Sequence, residues 1–243
     1  MSSPALHHQD FPERGTLSEQ IAVLLKYAVR APSTHNIQPW LFRVTDNTIE
    51  LWRDTERDLA YADPTGRCAL ISLGACFEHL ETSAKYFGML ESSWVNPSPA
   101  LGEPIARLTV AAAKEFDEKL LPLVEAMERR FNARGQFEQA PLPSDLFDQI
   151  NHLYKEEGVR LDIFEGEEKS AYADLVVQGM HHIHAIKEFR KELSGWIRNN
   201  YSNRRDGIPG YTMLAPGPLS FFIAPLIKNF NLGGLLGALN RKS

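Results

Sequence analysis

The sequence predicts an α+β fold. Three observations point that way: stretches with apolar residues at helical spacing, short stretches in which apolar and polar residues alternate, and helix-then-strand units that recur without the strict alternation of a doubly wound sheet. The 243 residues are 43% hydrophobic, 23% charged and 10% aromatic, with a net charge of -5. Such a chain can bury a proper core in one large domain or two small ones, and a disordered chain is excluded.

Residues 1–15 read as a flexible leader. Thr16-Leu-Ser-Glu19 fits a capping box, and Ile21, Leu24, Leu25 and Ala28 follow at helical spacing. Pro32 ends that helix, because proline disfavours α geometry in the residue before it. The polar segment Ser33 to Gln38 then leads into Trp40, Phe42 and Val44, a turn at Asp46-Asn47, and Ile49 and Leu51, which together predict a β-hairpin. Asp63-Pro-Thr-Gly66 turns the chain into a long helix over 67–87, stopped by Gly88. Prolines 97, 99 and 104 mark a loop, and 106–113 is a buried strand. A helix over 115–130 carries Pro122 as a kink or break. A further helix runs from Ser144 to Gly158, a strand from Val159 to Phe164, and two helical stretches cover 167–199. The apolar, glycine-rich tail after Gly210 has no clear assignment.

The net charge gives no general reason to bind nucleic acid. Two cysteines, Cys68 and Cys76, are too few for a disulfide scaffold and lack CxxC spacing, which suits a reducing compartment. The first fifteen residues lack the apolar stretch of a secretory signal. The most apolar segment, Pro218 to Ile227, is about ten residues long, where about 20 are needed to cross a bilayer. A cytoplasmic protein is expected.

No GxGxxG, GxxxxGK[ST], HExxH or GxSxG occurs, which removes the usual local signatures of a dinucleotide fold, a P-loop, a zincin and an α/β-hydrolase. Four features remain. Ser33, Thr34, His35, Asn36 and Gln38 form a loop that can either satisfy its own backbone or offer neutral donors and acceptors to a planar ligand. Arg129, Arg130 and Arg134 can clamp a phosphate or carboxylate, or simply complement a helix dipole. His181, His184 and Glu188 share a helical face, a solvated surface more readily than a metal site, and no metal is expected. Arg204-Arg205-Asp206 reads as a charged loop with no assigned function.

Ala31-Pro-Ser-Thr-His-Asn-Ile-Gln-Pro-Trp40 resembles the APSxxNxQPW segment of the nitroreductase family. Asp63-Pro-Thr-Gly-Arg67, Ile71-Ser-Leu-Gly-Ala75, Arg129-Arg-Phe-Asn-Ala-Arg-Gly-Gln-Phe137, Glu188 to Trp196 and Asp206-Gly-Ile-Pro209 resemble its Acg-type branch. The resemblance runs from about residue 18 to residue 210. It implies a nitroreductase-like fold, a mixed sheet flanked by helices, with two family units fused in one chain. Residues 16–127 would form the first unit, and 128–243 a second, incomplete one whose apolar surface favours homo-oligomerisation. It implies FMN as cofactor, held by Pro32, Ser33, His35, Asn36 and Gln38 on one side and by Arg130, Asn132 and Arg134 on the other. Asn132 stands where the family has Ser or Thr. Electrons would pass from NAD(P)H through the flavin to a nitroaromatic, quinone or similar acceptor. The chemistry then belongs to the cofactor, and no protein acid, base or nucleophile is required. The alternative is a flavin-sequestering protein without turnover, its ring covered by the segment between Asp206 and Ile227.

Overall fold

The computed structural model describes residues 6–132, 140, 142–153, 160, 162–213 and 217–231. Helix α1 spans Leu17–Ala28 and starts as its sequence dictates. The Thr16 hydroxyl accepts from the Glu19 amide at 3.3 Å, and the Glu19 carboxylate accepts from the Thr16 amide at 2.7 Å. Strands β1 (Trp40–Thr45) and β2 (Thr48–Arg53) form the expected hairpin, with Asp46 at a positive φ of 53° in the turn. Helix α2 (Arg67–Tyr86) begins where the Asp63 carboxylate accepts from the amides of Cys68 and Ala69. It ends before Gly88, at φ 62°.

Strand β3 (Leu90–Val95) was not anticipated, and β4 (Ala106–Val110) is shorter than the predicted 106–113. The four strands form one sheet in the order β1-β2-β4-β3, with every pairing antiparallel. β3 escaped notice because it is an edge strand with five of its six residues exposed, so burial imposes no apolar alternation on it. The outer face carries one row across all four strands, Arg43, Glu50, Arg107 and Trp94, in which Glu50 accepts from Arg107 at 2.8 Å. The inner face packs on α1 and α2. Leu24, Leu51, Leu73, Leu80, Phe87, Met89 and Leu108 are fully enclosed there.

Helix α3 (Leu121–Arg129) follows a short 3-10 turn. Pro122 sits in its first turn, where no amide donor is needed, so it starts the helix rather than kinking it. Helices α4 (Leu146–Leu153), α5 (Gly166–Ala185) and α6 (Lys187–Trp196) come next. Strands β5 (Ile197–Arg198) and β6 (Ile208–Pro209) make a two-stranded parallel pair, and α7 (Ser220–Asn229) occupies the tail that the sequence left unassigned. A second, smaller core joins Phe189, Leu193, Ile197, Ile208 and Ile227.

The architecture is α+β, with three departures from expectation. Among the described residues the antiparallel and parallel pairings lie in two separate sheets, not in one mixed sheet. Residues 160 and 162–164 of the predicted strand carry no strand structure; 159 and 161 lie outside the described residues. The leader is not loose from His8 onward: Phe11 stacks on Phe87 at 3.9 Å, and the His8 amide donates to Glu128 at 2.6 Å. A lone phenylalanine in a polar stretch shows no periodicity, which is why its burial could not be read from sequence.

Candidate functional site

The Ala31–Trp40 loop follows α1, which ends at Ala28, and enters β1. Positive φ values at His35 (51°), Asn36 (54°) and Gln38 (55°) curl it into a tight coil, and the Gln38 amide donates to Ser33 Oγ at 3.0 Å. Left-handed geometry at three non-glycine residues costs energy, so neighbouring contacts must hold it. They come from the Arg204–Gly207 strap. Asn36 Nδ2 donates to the carbonyls of Arg205 (3.2 Å) and Gly207 (3.0 Å). Gln38 Nε2 donates to the Arg205 carbonyl at 2.8 Å, and the Gly207 amide returns a bond to the Asn36 carbonyl at 3.0 Å.

Asp206 is the hub of this contact. Its carboxylate, 12% exposed, accepts from Arg198 Nε at 3.1 Å and from Arg57 Nη1 at 3.3 Å, with Arg204 Nε at 3.4 Å. Burial pushes the Asp206 carboxyl up, but the Arg198 bond and the three positive charges outweigh it and hold the group below its ordinary value. Arg57 also donates to the Ile37 carbonyl at 2.8 Å and to Asp54 at 3.1 Å, so one guanidinium ties loop, hairpin and strap together. The Glu192 carboxylate of α6 adds a second tie, accepting from the amides of Tyr61 and Ala62.

At the other end of the loop, Arg130 Nε donates to the Arg30 carbonyl at 3.0 Å, two residues before Pro32, and its Nη1 donates to Asn132 Oδ1 at 2.8 Å. Arg30 Nη2 donates to the Glu128 carbonyl at 3.1 Å. Among the described residues neither Arg30 nor Arg130 has a carboxylate in ion-pair range: Glu128 is taken by Tyr27 and His8, and Glu125 by Arg129. Desolvation, then the like charge of Arg30, lowers the Arg130 pKa. Burial, with the Arg130 and Arg30 charges added, also holds the nearby His79 below its usual value. The two guanidiniums lie close together, with the Glu128 carboxylate near Arg30.

The structure therefore brings Asn36 and Gln38 against the strap, with Ser33 bonded to Gln38 inside the loop, and sets Arg130 and Asn132 beside the start of the loop. Pro32 is exposed, and His35 lies 6.4 Å, ring to ring, from Phe189. Arg134 lies outside the described residues. Sequence reasoning missed Arg57, Arg198 and the hub role of Asp206. These residues are far apart in the chain, and no local spacing links them. Among the described residues no group of three His, Cys, Asp or Glu could hold a metal, and His184 is instead 2% exposed with its ring edge-on to Phe189. No helix among the described residues is long and apolar enough to cross a membrane.

A flavin needs cationic donors for its phosphate and its reduced pyrimidine edge, with neutral polar groups and apolar walls around the ring. Arg30 and Arg130 fit the cationic part. The amide hydrogens of Asn36 are both used by strap carbonyls, and those of Gln38 by the strap and, at 3.5 Å, by Asn36. While the strap is in place the loop therefore offers a ring its backbone, the Ser33 and Thr34 hydroxyls and the Gln38 carbonyl oxygen, but not the Asn36 and Gln38 amide hydrogens.

No protein-family model matches the chain. Among curated proteins, the "Putative NAD(P)H nitroreductase Rv3131" of Mycobacterium tuberculosis is 30% identical over 140 residues, 58% of this chain and 39% of its own length. The "Putative NAD(P)H nitroreductase acg" of the same organism is 27% identical over 152 residues, 63% of this chain and 46% of its own. A third protein of that organism, "Uncharacterized protein Rv3127", is 43% identical over 63 residues, covering 24% of this chain and 18% of its own length. The chain spans less than half the length of the curated relatives it matches. Resemblance to the nitroreductase family, Acg included, thus rests on the first two of these relatives as well as on the residues of the loop and arginine segments.

Proposed function

We propose that this chain builds a flavin site of a nitroreductase-like oxidoreductase, one that uses FMN to pass electrons from NAD(P)H to a nitroaromatic, quinone or similar acceptor. The observation that carries the reading is the bond from Arg130 to the Arg30 carbonyl, which sets a guanidinium beside the start of the segment that leads into the Ser33–Gln38 loop. When bound, the flavin supplies the hydride chemistry. Arg130, held by Asn132, would bind the phosphate with Arg134. Pro32 and Ser33 would set the loop's path, and His35, Asn36 and Gln38 would border the ring. We assign a first unit to 16–127 and a second to 128–243; the larger core takes in residues up to Met127 and the smaller is built from Phe189 onward, with Ala62 of the first unit packed against it. A cytoplasmic setting and a homo-oligomeric state belong to the same proposal.

A second reading has its own observation. The strap closes on the amides of Asn36 and Gln38, which supports a protein that holds flavin without turning it over. An absorption spectrum, followed by anaerobic NADH and NADPH, separates the two. Yellow protein that bleaches quickly supports the enzyme. Yellow protein that bleaches only with dithionite supports the store, and colourless protein that takes up no FMN rejects both. Arg130→Ala should weaken FMN binding by about tenfold to a hundredfold, the range for one charge-assisted hydrogen bond.

A further inference from the structure

Arg204 and Arg205 reach into a cleft of about 430 Å³ that also holds Gln38, Trp40, Leu41 and Arg57. Three guanidiniums line it, those of Arg57, Arg204 and Arg205, against the two carboxylates of Asp54 and Asp206, and Arg198 pairs with Asp206 from outside the cleft lining. Arg57, Arg198 and Arg204 are engaged by those carboxylates, whereas the exposed guanidinium of Arg205 has no partner among the described residues. Its backbone is fixed, because the Arg205 carbonyl accepts from both Gln38 and Asn36. That anchor holds the base of the side chain at the cleft, from which the free guanidinium can pair with an anion by two parallel hydrogen bonds. Leu41 is 52% exposed and gives the cleft an apolar wall. Surplus positive charge in a concave site concentrates anions, all the more against a chain whose net charge is -5.

We propose that this cleft is a binding site for a small aromatic anion, with Arg205, backed by Arg204, holding its phosphate or carboxylate and Leu41 lying against its ring. The inference does not rest on flavin binding, because its ligand pairs with Arg205 and not with the Arg30–Arg130 patch. The test is titration of the full chain, followed by nuclear magnetic resonance, with phenyl phosphate, benzoate, benzyl alcohol and inorganic phosphate. Phenyl phosphate or benzoate should bind more tightly than benzyl alcohol, and which of the two wins identifies the anion class. Arg205→Gln should weaken the tighter anion by about fivefold or more, with the melting temperature unchanged, as expected for an exposed side chain with no partner. Leu41→Ser should weaken phenyl phosphate while leaving inorganic phosphate unaffected. Benzyl alcohol binding as well as the anions, or an Arg205→Gln protein that binds them unchanged, would overturn the proposal.

Discussion

Replacing Asp206 with asparagine keeps the size of the side chain and removes the charge on which three arginines converge. In the native protein that carboxylate accepts one bond from Arg198 Nε and one from Arg57, with Arg198 Nη2 at 3.1 Å and Arg204 beside it. It is 12% exposed, and Arg198 is 9% exposed. Removing one partner of a buried ion pair leaves the other uncompensated and costs about 3–5 kcal/mol. The residual exposure and the freedom of Arg204 to turn to solvent argue for the lower end, about 3 kcal/mol. For a chain of this size that is about 6–12 °C in melting temperature. Thermal unfolding of D206N measures it directly, and limited trypsin digestion adds a local readout, since a loosened strap should be cut faster after Arg204 and Arg205. The sign with pH follows from the lowered carboxyl pKa. The stabilisation is complete above the unfolded-state value near about 4 and is lost as pH falls through the lower folded value. The gap between native protein and D206N should therefore shrink in acid. A melting temperature within about 1 °C of native, with unchanged digestion, would refute the hub.

Three further outcomes are expected. Phe11→Ala should destabilise by about 3 kcal/mol in urea unfolding, because the ring is 6% exposed and stacked on Phe87; a negligible loss would return residues 8–15 to the status of a loose leader. Gly207→Ala should cost about 2 kcal/mol or more, since φ is 81° and a Cβ would collide with the Trp196 carbonyl oxygen; unfolding midpoints as high as native would argue against that backbone. Thr16→Ala should cost about 1 kcal/mol by removing the cap of α1, and Thr16→Ser should recover most of it.

The sequence by itself determined what depends on near neighbours. The capping box of α1, the hairpin turn at Asp46, the start of α2 at Asp63 and its stop at Gly88 are set by residues a few positions apart. The loop and arginine segments were likewise visible as polar and basic runs. What covers the loop was decided only in three dimensions. Asn36 and Gln38 could have bonded to their own backbone, to a ligand or to another segment, and the chain chose the Arg205 and Gly207 carbonyls, about 170 residues away. Asp206 reads in sequence as one more charged loop residue. It becomes a hub because folding brings Arg57 beside Arg198 and Arg204, and buries the charge they share. Edge strand β3 and the burial of Phe11 were hidden for the same reason: both depend on which surface lies opposite, and a local pattern carries no information about that.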